Sequence, residues 1–215
     1  IAGASRPAAA TGGDYFDYLT TSDGQLALAI GDVSGHGIGP AMLMAETRAY
    51  LRILTRNRND LSLILTRANT MVGEDVGEER FVTMLLAKLD PEKRTLVHAS
   101  AGHSPAFILG SDGAVKSELR RTGMPLGVMP DAAYTVSKPL YLAKGDVLVL
   151  LTDGLEETTN AAEELFGVDR ILQAVHQNRQ SKAAKIVESV FETLKDFSDN
   201  AEQVDDLTMI VAKVE

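Results

Sequence analysis

The stretch LALAIGDVSGHGIGPAMLMA, residues 26–45, places a strand, a glycine-rich loop and a helix in direct succession. Its first five residues are apolar on both faces, which is typical of a strand buried in a sheet. Glycine then recurs before Pro40, which stands where the first turn of a helix tolerates proline. The stretch therefore predicts a buried strand, then a loop that contains Asp32, and then a helix.

The patterns around this stretch predict four helices. Ala41, Ala45 and Ala49 recur at a spacing of four, which predicts a closely packed face on the first helix. Asp60 can cap a second helix, and Ser181 can cap the last of two amphipathic helices near the end of the chain. The apolar positions that carry the second helix follow helical periodicity: Leu61, Ile64, Leu65, Ala68 and Val72.

Strands cluster in the middle of the chain. Residues 81–89 and 94–100 flank the turn Asp90-Pro91-Glu92-Lys93, which predicts a hairpin. Further extended segments are expected at residues 106–109, 140–142, 147–151 and 207–214. Strands clustered in this way do not form repeated βαβ units, so we predict an α+β fold of sheets faced by helices. Without repeats or linker-like tracts, residues 1–215 are expected to form a single domain.

Composition excludes several kinds of function. The 215 residues carry 30 acidic and 21 basic side chains, a formal charge of −9. The chain therefore lacks the positive charge with which proteins bind nucleic-acid phosphates, and we expect no nucleic-acid partner. It also has no cysteine, so thiolate nucleophiles, disulfides and zinc–thiolate sites are excluded. Any metal bound here is expected to be a hard cation.

The apolar runs are short, with residues 147–151 among the longest. Spanning a bilayer takes roughly 20 apolar residues, so we expect no membrane contact from this part of the chain. No signal-peptide pattern opens the sequence, which favours a cytoplasmic location. Because the first residue is Ile1 rather than methionine, we expect the chain to be part of a longer regulatory protein.

Aspartates recur beside apolar strands. Asp32 and Asp153 follow such segments, Asp205 and Asp206 precede the last one, and Asp14 follows a Gly-Gly pair. Carboxylates resist burial without a cation or partner, so the pattern indicates a shared cation site. Oxygen ligands suit magnesium or manganese. Taken one at a time, each aspartate is better explained as a solvent-facing turn residue or a helix cap.

Seven blocks in order carry a family resemblance across nearly the whole chain. Together they resemble the SpoIIE/RsbU branch of the PPM metal-dependent serine/threonine phosphatases. A single block is weak, since GGDYF also resembles the GGDEF loop of diguanylate cyclases, although here it lies too near the start of the chain for that fold. The blocks are GGDYFDYL (12–19), AIGDVSGHGIGPAMLMA (29–45), FVTMLLAKLD (81–90), ASAGHSPAFIL (99–109), GMPLGV (123–128), GDVLVLLTDGLEE (145–157) and DDLTMIVAKV (205–214).

The resemblance implies a four-layer αββα sandwich, with two antiparallel sheets flanked by helices, around two Mn²⁺ or Mg²⁺ ions. Carried onto matching positions, Asp32 bridges both ions, and Asp14 and the backbone carbonyl of Val33 bind the second ion. Asp153 and Asp205 bind the first ion. Asp32 and Asp153 are the implied catalytic residues.

The implied activity is hydrolysis of phosphoserine or phosphothreonine on a signalling partner, such as a STAS-type anti-sigma-factor antagonist. The implied mechanism is direct attack of a metal-bridged water, which needs no phosphoenzyme. Sensory or receiver domains upstream and homodimerisation through segments outside this chain are expected from the same branch. The alternative is a noncatalytic scaffold that binds phosphoproteins with the same fold.

Several positions depart from the wider superfamily or stay open. Ser34 stands where many eukaryotic members have a histidine, and no arginine upstream of Asp32 matches their phosphate-binding residue. His36 can serve a leaving group or be an exposed loop residue, and His103 can support a ligand or be a hydrogen-bonded turn residue. Asp206 is an alternative ligand to Asp205. Two further interpretations also stay open: Asp17 and Glu157 orient ligands or are surface charges, and Arg6 contacts phosphate or is a flexible terminal charge.

Overall fold

The computed structural model describes residues 1–76, 80–199, 201 and 203–215. In chain order the elements are β1 (Ala2–Arg6), β2 (Tyr15–Thr20), β3 (Leu26–Val33), α1 (Ile38–Asn57), α2 (Leu61–Asp75), β4 (Val82–Asp90), β5 (Thr95–Ala101), β6 (Ala106–Leu109), β7 (Val115–Leu119), β8 (Leu140–Tyr141), β9 (Val147–Leu151), α3 (Asp153–Glu157), α4 (Gly167–Asn178), α5 (Ala183–Phe197) and β10 (Leu207–Lys213). Two antiparallel five-stranded sheets flanked by helices result, which confirms the predicted α+β class. Over these described ranges, no helix is both long and apolar enough to cross a membrane.

The contacts divide the described chain into two compact units. The first unit comprises Ile1–Ala9, Pro105–Leu119 and Ala143–Glu215, and the second comprises Ala10–Ser104 and Arg120–Leu142. Each unit contains one of the two sheets and its own buried apolar cluster. The prediction of a single domain over residues 1–215 stays a prediction.

The second unit is a sheet with strand order β2-β3-β4-β5-β8, covered by α1 and α2. Strands β4 and β5 form the predicted hairpin. Asp60 caps α2 as expected, because its side chain accepts hydrogen bonds from the backbone N–H groups of Ser62 and Leu63. The five apolar positions predicted for α2 are all buried in the cluster of this unit. Helical periodicity therefore predicts this element correctly.

The first unit is a sheet with strand order β1-β10-β9-β6-β7, against which α5 packs on β1 and β10. Val147–Leu151 is buried at every position, as its continuous apolar character predicts. The buried apolar cluster of this unit contains Ile171 of α4, Phe191 of α5, and Phe166, which directly precedes α4. The strand order places β10 in the interior of the sheet, between β1 and β9.

Two expectations about helices are wrong. Ala45 and Ala49 of α1 are exposed, because the buried face of this helix instead carries Leu43 and Leu51, which bury more apolar surface than alanine. Ser181 does not cap α5, since Lys182 is the residue at the N-cap and no side chain caps the helix there.

Arg6 is not a flexible terminal charge. It pairs with Leu207 in the ladder between β1 and β10, and its guanidinium carbon lies 4.3 Å from the ring centroid of Phe191. A guanidinium stacked on an aromatic face is attracted by the negative face of the ring. Arg6 therefore helps to hold β1 against α5.

Asp17 joins β2 to α1 through an ion pair in which its own carboxylate is buried and the Arg52 side chain is about half exposed. Its carboxylate accepts hydrogen bonds from Nε and Nη2 of Arg52, at 2.6 and 2.9 Å, and from the hydroxyl of Tyr15 at 2.8 Å. Burial alone would raise the pKa of Asp17, but the hydrogen bonds from Arg52, Tyr15 and the Tyr18 N–H outweigh burial and lower it. Nε of Arg48 lies 3.8 Å from Oδ2 of Asp17. The carboxylate of Asp17 therefore has a structural role.

We expect Asp17→Asn to lower the free energy of unfolding by about 2 kcal/mol at pH 7, because the buried carboxylate loses charge-assisted hydrogen bonds from Arg52 and Tyr15. Since the folded pKa is lowered, the stabilisation is present above the unfolded value of about 3.9 and is lost as pH falls through the folded value. Urea unfolding between pH 7 and pH 3 measures this. Arg48→Gln is the control and should cost less than about 1 kcal/mol. A loss for Asp17→Asn that does not shrink in acid would contradict the assignment.

Candidate functional site

Asp32 lies near the end of β3 and is part of the strand. It is opposite Thr83 of β4, and Tyr15 of β2 is opposite Gly31. Because antiparallel partners step in opposite directions, Asp14, directly before β2, is brought beside Asp32. Both aspartates are partly buried. The predicted proximity of Asp14 and Asp32 is thus a consequence of the β2–β3 register.

Gly13 shows how closely the two segments approach. A Cβ atom at this position would lie 2.8 Å from the carbonyl oxygen of Val33 and 3.2 Å from Oδ1 of Asp32. Any larger residue would push the segment that carries Asp14 away from these two oxygens. Three of the predicted ligands, Asp14, Asp32 and the Val33 carbonyl, therefore lie together in the second unit.

Asp153 and Asp205 lie at adjacent strand ends in the first unit. Asp153 begins α3 just after β9, and Asp205 and Asp206 precede β10, the antiparallel neighbour of β9. Thr152 N–H donates to the Thr208 carbonyl at 3.0 Å, and Thr208 N–H donates to Oγ1 of Thr152 at 3.1 Å. These two buried threonines continue the ladder as far as the aspartates.

Gly154 allows this second close approach. A Cβ atom at Gly154 would overlap the carbonyl oxygen of Asp206 and would lie 3.4 Å from Cβ of Asp205. The residue after Asp153 must therefore lack a side chain for the Asp205–Asp206 segment to reach its place.

The two neighbouring aspartates of this segment differ in their surroundings. Asp205 is exposed as a whole residue, but partial burial of its carboxyl raises the pKa, and the charges of Asp153 and Asp206 raise it further. The Asp206 N–H, which donates to Oδ1 of Asp205 at 2.8 Å, opposes this effect without cancelling it. Oδ1 of Asp206 accepts a hydrogen bond from the Ala8 N–H at 2.8 Å. The negative charge of Asp153 therefore acts on the carboxyl of Asp205, whereas Asp206 binds the segment that follows β1.

His36 and His103, whose roles the sequence leaves undecided, lie in different surroundings. His36 is exposed in the loop after β3, whereas His103 is buried, with Nδ1 2.9 Å from Oγ1 of Thr83. Thr83 in turn donates to the backbone carbonyl of Asp32 at 3.3 Å. Glu157 is exposed at the end of α3. Thr83 is a functional candidate that sequence reasoning missed, because only the β3–β4 register places it opposite Asp32.

Arg80 is a second residue that the sequence did not single out. A Cβ atom at Gly39, in the first turn of α1, would lie 2.7 Å from both terminal nitrogens of the Arg80 guanidinium. Arg80 therefore places a cation against the helix that follows the Asp32 loop. It stands downstream of Asp32, so a search for an upstream arginine could not find it.

The donor chemistry of the two groups fits a hard cation. Carboxylate and carbonyl oxygens are the ligands that Mg²⁺ and Mn²⁺ prefer. Within the residues that the structure describes, no group of three or more His, Asp or Glu side chains has the arrangement of a metal site. The ligand set expected from the sequence therefore stays a prediction. It is supported by the proximity of Asp14 to Asp32 in the second unit and of Asp153 to Asp205 in the first.

Comparison with known proteins identifies the family. Residues 22–215 match the model of the family described as Stage II sporulation protein E (SpoIIE). The chain belongs to this family, as the resemblance of its seven blocks to the SpoIIE/RsbU branch predicts.

Named relatives and a solved structure agree with this assignment. The chain is 28% identical to Protein IcfG of Synechocystis sp., over 95% of this chain and 36% of IcfG. It is 29% identical to the phosphoserine phosphatase RsbU of Bacillus subtilis, over 99% of this chain and 62% of RsbU. The chain thus spans between about a third and two thirds of these relatives. Its fold matches the SiaA-PP2C domain of Pseudomonas aeruginosa with a TM-score of 0.85 and 21% identity, over 99% of this chain and 84% of that domain.

Proposed function

We propose that this protein is a metal-dependent protein phosphatase that hydrolyses phosphoserine and phosphothreonine on a signalling partner. The observation that carries the proposal is the pairing of aspartates inside each unit, Asp14 beside Asp32 and Asp153 beside Asp205. Clustered carboxylates of this kind are costly unless a cation neutralises them.

We assign the ligands of two ions, Mn²⁺ or Mg²⁺, to five residues. Asp32 would help to hold both ions, Asp14 and the Val33 carbonyl would help to hold one of them, and Asp153 and Asp205 would help to hold the other. When bound, such ions lower the pKa of coordinated water towards neutrality and neutralise charge on phosphoryl oxygens. Asp32 and Asp153 are the catalytic residues of this assignment.

The protein's own contribution is to hold these oxygens in place. The β2–β3 ladder fixes Asp14 against Asp32, and the Thr152–Thr208 hydrogen bonds fix the ends of β9 and β10. A chain without cysteine has no thiolate nucleophile, and the proposed reaction is hydrolysis by water without a phosphoenzyme. Rigid ladders of this kind give the preorganisation that catalysis requires.

The substrate is proposed to be a phosphorylated regulator in the cytoplasm, such as a STAS-type anti-sigma-factor antagonist. The name of RsbU as a phosphoserine phosphatase supports the class of phosphorylated residue. We also propose that further regulatory segments act with this chain, because it matches only part of IcfG and RsbU.

Phosphate release from matched phosphoserine, phosphothreonine and phosphotyrosine peptides tests the proposal. With added Mn²⁺ or Mg²⁺ we expect release from the first two peptides, and a chelator should abolish it. Release that persists in chelator would contradict metal dependence. Binding of phosphopeptide without release, over a full search of metals, would support the noncatalytic scaffold instead.

A further inference from the structure

A chain of hydrogen bonds runs from a buried histidine to the strand that carries Asp32. His103 is 2% exposed, and its Nδ1 lies 2.9 Å from Oγ1 of Thr83. The hydroxyl of Thr83 donates to the backbone carbonyl of Asp32 at 3.3 Å. Thr83 also lies directly opposite Asp32 in the β3–β4 register. Both links are therefore made within one sheet and the loop that follows β5.

One tautomer of His103 satisfies both contacts of the Thr83 hydroxyl, the 2.9 Å contact with Nδ1 and the 3.3 Å contact with the Asp32 carbonyl. A threonine hydroxyl has one proton to donate, and Thr83 directs that proton to the Asp32 carbonyl. Its oxygen must then accept a hydrogen bond from Nδ1–H of His103. In this arrangement both hydrogen bonds are donated in the same direction, from Nδ1–H of His103 to the Thr83 hydroxyl and from that hydroxyl to the Asp32 carbonyl. A side chain that lacks a donor at the Nδ1 position would leave the hydroxyl without this partner.

The loop that carries His103 is held on several sides. Gly102 has a positive φ of 68°, and a Cβ atom there would overlap the ring of Pro125. The Gly102 N–H donates to the Gly123 carbonyl at 2.9 Å, and Nε of Arg121 donates to the His103 carbonyl at 3.2 Å. The imidazole is thus presented from a fixed backbone, which suits a group that positions another.

Anchoring the Asp32 carbonyl constrains the side chains around it. That carbonyl belongs to the planar peptide group between Asp32 and Val33, so fixing it limits rotation at both residues. The Asp32 carboxylate and the Val33 carbonyl oxygen are the two groups that Gly13 approaches. The hydrogen-bonded chain therefore acts on the part of the backbone from which both proposed ligands project.

We propose that His103 is a positioning residue, which acts through Thr83 to orient Asp32 and the Val33 carbonyl for metal binding. The inference rests on the proposed function, because it takes Asp32 as a ligand. His103 itself touches neither ion nor substrate in this scheme. Partners that orient metal ligands in this way typically contribute 10- to 100-fold in metal affinity or activity, roughly.

Direct Mn²⁺ binding, followed by electron paramagnetic resonance of the free ion, tests the proposal together with kcat and KM. We expect His103→Ala and Thr83→Val each to raise the Kd for Mn²⁺ about tenfold and to lower kcat, with the KM for phosphopeptide little changed. Asparagine places an amide N–H near the position of Nδ1, whereas glutamine places it near Nε2. His103→Asn and Thr83→Ser should therefore recover most of the affinity, and His103→Gln should not.

The matched control is His98→Ala. His98 is also buried in this sheet, but its Nε2 lies 3.1 Å from the Arg120 carbonyl rather than on the path to Asp32. We expect this variant to lose thermal stability and keep the affinity for Mn²⁺. In the double variant Thr83→Val/His103→Ala, the loss should not exceed that of the worse single variant, because both interrupt one chain.

Unchanged Mn²⁺ affinity and kcat in folded His103→Ala would overturn the positioning role alone, with the phosphatase proposal intact. If His103→Ala does not fold, equal affinities of His103→Asn and His103→Gln overturn it. A wild-type protein that binds no Mn²⁺ would overturn the ligand assignment of Asp32 and this inference with it.

Discussion

Asp32→Asn is expected to lower metal-dependent phosphate release by more than 100-fold. Asparagine keeps the size of the side chain but removes the negative charge that the proposed assignment shares between two ions. Losing a direct ligand should exceed the roughly 10- to 100-fold cost typical of groups that only support ligands. The measurement is kcat with saturating Mn²⁺, with Mn²⁺ affinity determined in parallel.

Asp23→Asn is the matched control for this substitution. Asp23 lies on the turn between β2 and β3 in the same unit, and its pKa is lowered to about 2, first by a hydrogen bond from Thr21 and also by Lys88. The carboxylate is 3.3 Å from Nζ of Lys88, an ion pair near the surface, so its loss should cost under about 1 kcal/mol of stability and leave turnover unchanged. Equal turnover in folded Asp32→Asn and Asp23→Asn would remove Asp32 from the catalytic residues.

Asp205→Asn is expected to lower phosphate release by more than about 100-fold, and Asp206→Asn by less than about tenfold. The two residues are adjacent, but the charge of Asp153 acts on Asp205, whereas Asp206 accepts a hydrogen bond from the Ala8 N–H. Asparagine retains a carbonyl oxygen that can accept from Ala8, so the segment after β1 should stay in place. Mn²⁺ titration should show weakened binding in Asp205→Asn alone.

The opposite order of effects would exchange the roles of these two aspartates. If Asp206→Asn is the inactive variant and Asp205→Asn binds Mn²⁺ normally, Asp206 is the ligand. Thermal unfolding with the metal removed serves as the control, because both variants should unfold within a few degrees of the wild type.

The sequence predicts those parts of the fold that local patterns determine. The strand Val147–Leu151 is apolar throughout, and α2 has a capping aspartate followed by a regular apolar period, so both are predicted correctly. Strand β1 is missed because Ala2–Arg6 is short and lacks a marked alternation, and it becomes a strand only by pairing with β10. Arg6 is placed by that pairing and by the Phe191 ring, which lies far along the chain.

The candidate site shows the same division. Glycine–aspartate pairs mark Asp32 and Asp153 in the sequence, and the family resemblance orders them. Nothing in the spacing of residues links Thr83 and His103 to Asp32, because the β3–β4 register creates that contact. The surroundings that distinguish Asp205 from Asp206 likewise depend on the strands beside β10, because Asp153 follows β9 and Ala8 follows β1.

The hydrogen bonds between Thr152 and Thr208 join the two ends of the segment that contains helices α3, α4 and α5. The entropy of closing a loop grows only slowly with its length, so extra residues in an exposed turn such as 161–163 should cost little. We therefore expect a reporter domain inserted in this turn to leave β9 and β10, next to which Asp153 and Asp205 lie, in place.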